Sequence, residues 1–195
     1  MAEAAPRTRG SPTAGGARRT LLLIAATVIA PIVAACVVYY LFPREERVNY
    51  GTLLPTVPAP VLDGMRDDGS PFRLDELRGR WVLLSTGRGE CDSGCERKLY
   101  ATRQARTMQG RDRDRVVRAL LIVGNGNPAP ALLTQHPDLV VVRAAEAAPQ
   151  ALPQGTGPIY LIDPRGNLVL WYPEDPDIKG IANDLIRLLK ASQIG

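Results

Sequence analysis

The run from Thr20 to Phe42, TLLLIAATVIAPIVAACVVYYLF, contains no charged residue. As an α-helix it measures about 34 Å at ~1.5 Å per residue, enough to cross a hydrocarbon layer ~30 Å thick. Water cannot hold so much contiguous apolar surface, so the segment predicts one transmembrane helix over 20–42. Pro31 inside it is tolerated in a membrane span, and Tyr39 and Tyr40 stand where amphipathic rings favour the headgroup layer. Arg7, Arg9, Arg18 and Arg19 precede the run against a single acid, Glu3, whereas Arg44, Glu45, Glu46 and Arg47 after it are balanced. The excess of positive charge upstream places the N-terminus in the cytoplasm and the rest of the chain outside. Residues 1–19, rich in Ala, Gly, Pro and Arg, read as a disordered cytoplasmic tail. A cleaved secretory signal has an apolar run of only ~7–15 residues. Val33-Ala34-Ala35-Cys36 has the form of a lipobox, which would make Cys36 a lipidated N-terminus. The sequence stays apolar from Val37 to Phe42, where a mature lipoprotein turns polar, and this favours the uncleaved anchor.

The remaining length of a 195-residue chain suits one globular domain. Its net charge of +4 is carried mostly by arginines interleaved with acids, as in Arg111-Asp112-Arg113-Asp114-Arg115. That is a solvated surface rather than a one-signed groove, and no nucleic-acid partner is expected. Three cysteines and one histidine leave few ligands for a transition metal.

Residues 43–60, with Pro43, Pro55, Pro58 and Pro60, read as an extended linker, and the domain proper as 61–195. A hairpin turning at Asp68-Gly69 and a short helical turn ending at Gly79 open it. The continuous apolar runs Trp81–Thr86 and Arg115–Val123 read as strands covered on both faces. A helix to about Met108 lies between them. A short helix over 129–135, a strand over 139–142, a hairpin at Asp163-Pro164-Arg165-Gly166 and an amphipathic terminal helix from Ile178 complete the order. Alternation of strands and helices ending in a hairpin predicts an α/β layered fold on a mixed sheet.

Cys91 and Cys95 form C-x3-C immediately after the first buried strand, where a helix begins. Positions i and i+4 share a helix face, so the two thiols can join in a disulfide or chelate a soft ion together. The N-terminus of a helix also stabilises a thiolate, and Arg88 adds positive charge. A purely structural disulfide here would close a tiny loop and contribute little chain-entropy stabilisation, which favours redox or metal chemistry.

The stretch LPTVPAPVLDGMRDDGSPFRLDELRGRWVLLSTGRGECDSGC is similar to the start of thioredoxin-like domains of the Sco/SenC and TlpA types. Pro158-Ile-Tyr-Leu-Ile-Asp-Pro-Arg-Gly resembles their late strand and turn, and the C-x3-C spacing favours Sco/SenC. Asn49-Tyr50-Gly51 and the anchor also resemble small membrane proteins that accompany cytochrome oxidase assembly. The resemblance implies a thioredoxin-like mixed sheet flanked by helices, anchored by one helix in a bacterial inner membrane with the domain periplasmic. It implies dithiol exchange or Cu(I) handling by Cys91 and Cys95 at an oxidase copper site, with Cys91 the nucleophilic and Cys95 the resolving thiol. The partner would be the membrane-bound cytochrome c oxidase subunit or another extracytoplasmic thiol protein. A general thiol–disulfide oxidoreductase of the cytochrome c maturation type and a non-catalytic docking factor are the alternatives. Copper-carrying Sco proteins add a histidine just before the late strand, a place that falls near Gly155, and none is present. Reductases of this fold present a cis-proline to the cysteines, for which Pro158 is the candidate. His136, the sole histidine, reads as an exposed capping residue.

Overall fold

The computed structural model describes residues 14–41, 49–144 and 151–192. Two compact units are formed, Met1–Arg47 and Val48–Gly195. In the first, helix α1 runs over Ala14–Leu41, and Arg18–Val38 within it is long and apolar enough to cross a membrane. Leu21, Leu22, Leu23 and Ile24 are exposed along it, and the hydroxyl of Thr27 donates to Leu23 O at 2.7 Å. Large apolar side chains with no protein cover and a polar side chain satisfied inside its own helix suit a lipid surroundings. The helix starts at Ala14, inside the segment expected to be a disordered tail. Extending a helix costs far less than nucleating one, so the apolar segment carries the adjoining alanines and arginines with it. Residues 1–13 and 42–48, including Arg44 to Arg47, lie outside the described residues, as do the side chains of Tyr39 and Tyr40.

The second unit is built on one sheet with strand order β1-β8-β7-β4-β5-β6-β2-β3. Its strands are β1 (Thr52–Pro58), β2 (Asp63–Arg66), β3 (Pro71–Arg73), β4 (Trp81–Arg88), β5 (Val116–Val123), β6 (Leu139–Ala144), β7 (Ile159–Ile162) and β8 (Asn167–Tyr172). Helices α2 (Ser93–Thr107), α3 (Pro130–Gln135) and α4 (Ile178–Ala191) complete it. β4, β5 and β6 are parallel neighbours, while β7 runs antiparallel to β4. One face of β4, carrying Trp81 and Leu83, packs on Ala101 and Ala105 of α2 and on Ile181, Leu185 and Leu189 of α4. Its other face, with Val82 and Leu84, packs on Leu62, Phe72 and Leu77 from the entry hairpin and the turn after it. Burial on both faces accounts for the unbroken apolar runs.

β1 occupies the segment expected to be linker. It lies on the sheet edge beside β8, and its register breaks between Leu53 and Val57, where Pro55 sits. Proline cannot donate to a ladder, which excludes it from central strands but not from an edge. Just upstream, Asn49-Tyr50-Gly51 is a structural joint. The carboxylate of Asp184, buried in α4, accepts from the backbone N–H groups of Tyr50 at 3.0 Å and Gly51 at 2.8 Å. The Tyr50 ring stacks on Tyr172 with centroids 5.9 Å apart, and a Cβ on Gly180 would lie 2.4 Å from it.

Candidate functional site at the head of helix α2

β4 ends at Arg88, and four residues, Gly89 to Asp92, turn the chain into α2. Cys91 has φ +67°, the only described non-glycine residue in the left-handed region, a conformation that costs roughly 1–2 kcal/mol for an L side chain. Its N–H donates to Arg88 O at 3.0 Å, closing the turn. Asp92 caps the helix, its carboxylate accepting from the N–H of Cys95 at 2.9 Å. Cys95 therefore sits in the first turn, where unpaired N–H groups and the helix dipole favour negative charge. Cys91 and Cys95 are joined as a disulfide with Cα atoms 5.2 Å apart.

Close backbone approach makes room for this bridge. A Cβ on Gly87 would stand 2.7 Å from Cys95 Sγ, and one on Gly126 would stand 2.8 Å from Gly89 Cα. The Gly124-Asn125-Gly126-Asn127 turn after β5 thus lies directly on the loop that leads into Cys91. Leu99, Leu120, Ile122, Leu132 and Val141 pack around the two sulfurs. Cys95 is 2% exposed and Cys91 6%, so Cys91 is the more accessible, though both are largely covered. Cys91 lines an open groove of about 940 Å³ together with Arg88, Glu90, Asp92, Glu96 and Pro128. A disulfide held at a helix head, with one of its cysteines lining a groove, is placed for attack by a thiolate.

Lys98, three residues beyond Cys95, is buried at 4% exposure. Its ammonium donates to Thr86 O at 2.8 Å, Gly157 O at 2.9 Å and Thr156 O at 3.4 Å. The Thr86 hydroxyl also donates to Thr156 O. These bonds fasten the loop before β7 to the end of β4. Burial pushes the Lys98 ammonium below its usual range, with the Glu174 and Asp92 carboxylates acting in the opposite sense. A lysine in a helix reads from sequence as a solvated charge, and only the three carbonyls aimed at one point reveal it.

Pro158 follows that loop and is buried, but the described residues contain no cis peptide bond. The Gly157–Pro158 bond is trans, so the expectation of a cis-proline there is corrected; the neighbouring carbonyls turn to the Lys98 ammonium instead. Gly155, at the place where copper-carrying Sco proteins have a histidine by the resemblance above, adopts φ +68°, and its carbonyl accepts from the Tyr160 hydroxyl at 2.9 Å.

His136 is the C-cap of α3, as expected, but its exposure is corrected, for it is buried at 5%. Its Nδ1 lies 3.1 Å from a guanidinium nitrogen of Arg118, which has protons to donate and none to receive, so Nδ1 is the acceptor and His136 is neutral. Arg118 is fully buried in the middle of β5. It also donates to Leu99 O at 2.9 Å, to Thr102 Oγ1 at 3.3 Å and to Asp138 at 3.2 Å. Desolvation lowers its pKa to about 10, leaving it charged at neutral pH. Burial, then the charge of Arg118, holds the His136 imidazole below its usual range. The histidine is thus committed to a structural network. Among the described residues no three of His, Cys, Asp or Glu converge as a metal centre would need.

The fold is that of solved thioredoxin-like proteins. Apo Sco1 from Thermus thermophilus is 22% identical, covering 74% of this chain and 99% of that one, with a TM-score of 0.59. Copper-bound ScoI from Arabidopsis thaliana is 17% identical, covering 70% and 100%, with a TM-score of 0.59. A thiol:disulfide interchange protein from Chlorobium tepidum is 16% identical, covering 69% and 97%, with a TM-score of 0.52. No curated protein matches the chain in sequence. The family model described as "Transmembrane-like, thioredoxin-like, C-terminal domain" matches residues 81–192, from the first residue of β4 to the end of α4, and the chain belongs to that family.

Proposed function

We propose that this protein is a membrane-anchored thiol–disulfide exchange protein acting through Cys91 and Cys95 on a cysteine pair of a membrane-bound partner. The observation that carries this reading is the Cys91–Cys95 disulfide at the head of α2, with Cys91 on an open groove. The setting we favour is assembly of the copper site of a cytochrome c oxidase subunit. The domain would lie in the periplasm, anchored by α1 in a bacterial inner membrane, with the N-terminus cytoplasmic. Oxidising conditions there allow the pair to be stably bridged. The Sco and thiol:disulfide interchange proteins that share the fold support this choice.

In the step proposed, an upstream dithiol first reduces the Cys91–Cys95 bridge and itself ends as a disulfide; the Cys91 thiolate then attacks a disulfide of the partner, and one partner sulfur leaves as a thiolate that takes up a proton. Cys95, deprotonated, then attacks Cys91 Sγ and releases the second partner sulfur. Two electrons pass to the partner, which ends as a dithiol able to take copper, while Cys91 and Cys95 end bridged. Cu(I) enters as cargo. Once reduced, the two thiolates are a soft pair suited to two-coordinate Cu(I), but with His136 engaged by Arg118 they offer no imidazole for Cu(II).

The test uses the full-length chain in detergent. Its reduction potential is measured against glutathione, and a Cys95→Ser variant is incubated with membranes to trap a Cys91 mixed disulfide. A measurable potential and a trapped oxidase subunit support the reading; a trapped cytochrome c maturation protein supports the general oxidoreductase. Normal oxidase assembly in cells carrying Cys91→Ser and Cys95→Ser would sink the dithiol chemistry and leave a docking role. Cu(I) titration of the reduced protein, with Cys91→Ser as control, tests copper handling separately.

A further inference from the structure

We infer that Lys98 is a positioning residue for the dithiol: its buried ammonium favours the reduced, thiolate-bearing form of Cys95 and holds the 156–157 loop in place on both sides of the redox cycle. This rests on the exchange reading above and assigns the residue that sets the potential of that site.

The argument begins with the peptide joining Thr86 to Gly87. Cys95 Sγ stands 2.7 Å from where a Gly87 Cβ would be, and Lys98 Nζ donates to Thr86 O at 2.8 Å. Sulfur and ammonium therefore bracket one rigid peptide unit, and its dimensions keep them within roughly 9 Å of each other. The charge is built in rather than incidental. Lys98 is 4% exposed, and every proton of its ammonium has a carbonyl to point at. Three neutral carbonyls satisfy the donors without cancelling the charge. The carboxylates that act on it are Asp92 at the helix cap and Glu174 beyond the loop. A Cβ on Gly157 would come within 2.6 Å of the Glu174 carboxylate, placing that acid on the loop side. The disulfide is neutral, whereas its reduction by the upstream dithiol, which itself ends as a disulfide, adds two electrons and leaves two thiols, and the Cys95 thiol ionises to resolve the mixed disulfide. A fixed cation interacts favourably with that thiolate and has no comparable interaction with the disulfide. In a partly buried setting, a charge at this range shifts an equilibrium by about tenfold or more. Lys98 thereby raises the potential of the pair, which eases its reduction by the upstream dithiol, and keeps more of Cys95 as the thiolate that resolves the mixed disulfide.

The experiment compares full-length wild type with Lys98→Met, which keeps the length of the side chain and removes the charge. The equilibrium with glutathione is measured, together with the pH profile of cysteine alkylation in the reduced protein. Expected is a potential more negative by about 30 mV, equivalent to about tenfold in the exchange constant, and a shift of the alkylation profile to higher pH. Lys98→Met also removes the loop's fastener, so thermal unfolding is recorded for the oxidised and reduced forms. A purely structural lysine would lower both forms equally and leave potential and alkylation profile unchanged, which overturns the proposal. Lys98→Arg, retaining charge, is expected to stay nearer wild type in potential; if it matches Lys98→Met, the charge is not responsible. If wild type itself shows no reversible dithiol cycle, the exchange reading fails instead, and the two failures are distinct.

Discussion

Replacing Arg118 by methionine keeps an unbranched apolar stem in the interior of β5 and deletes the guanidinium. What is left behind decides the cost. His136 Nδ1 loses its donor, while Asp138 keeps Arg106 at 2.8 Å and Leu99 O keeps the Thr102 hydroxyl at 3.1 Å. Removing one member of a buried charged network costs about 3–5 kcal/mol when its partner is stranded. The Asp138 side chain is 33% exposed and remains partnered, so the lower end applies, about 3 kcal/mol. At about 2–4 °C per kcal/mol for a domain of this size, the melting temperature falls by about 10 °C. Trp81 and Trp171 are the only tryptophans and both lie in the second unit, so tryptophan fluorescence, excited selectively over tyrosine, reports that unit alone in the full chain in detergent. The double variant Arg118→Met with Asp138→Asn is expected to lose less than the sum of the single losses. A single variant as stable as wild type, or more stable, would refute the reasoning, because desolvation of Arg118 would then outweigh everything it holds.

Gly87→Ala forces a methyl into the 2.7 Å space at Cys95 Sγ; we expect a loss of about 1–3 kcal/mol, larger in the oxidised form, read by thermal melts of both redox states. Asp92→Ala removes the cap that accepts from the N–H of Cys95 and is expected to cost about 1 kcal/mol, with Asp92→Asn recovering most of it. For His136, the folded imidazole titrates below its ordinary 6.5, so the fold favours the neutral form. Its contribution to stability is therefore complete above that value and is lost as pH falls through the lower folded value. Wild type should lose more in melting temperature than His136→Asn between about pH 7.5 and about pH 5, and equal losses would show that the imidazole is not responsible.

Sequence patterns revealed what depends on local chemistry. The unbroken apolar runs at β4 and β5, the turn at Gly69 with φ +81°, and the cysteine motif at the start of α2 all follow from residues close in the chain. Three features escaped because their partners are remote. β1 was obscured by its prolines, which are harmless because among the described residues no strand pairs with its outer edge. Arg118 sits in the run VVRALLIV, where its neighbours mark a buried strand but nothing indicates that His136 and Asp138 will meet it eighteen and twenty residues later. Lys98 is likewise ordinary on its helix until the carbonyls of 156 and 157 arrive from the loop before β7, nearly sixty residues later. In each case the deciding contact is made across the fold, and composition and periodicity carry no record of it.

On the exchange reading, those two buried cations also account for how α2 would carry a reactive bridge without a wholly apolar underside. Lys98 ties the helix to the end of β4 and the following loop, and Arg118 reaches up from β5 to Leu99 O in the next position of the same turn. Thr102 joins the two, donating its hydroxyl to Lys98 O at 2.9 Å and Leu99 O at 3.1 Å while accepting from Arg118. Apolar packing is non-directional and tolerates a helix sliding by a fraction of a turn, whereas charge-assisted hydrogen bonds fix both distance and angle. Opening the Cys91–Cys95 bridge removes a covalent tie at the helix head. With the first turns pinned by directional bonds from two strands, that loss need not propagate, and Cys95 stays where it can attack Cys91 again. On that reading, the polar belt beneath α2 lets a covalent bond be made and broken at its tip while the rest of the helix stays in register.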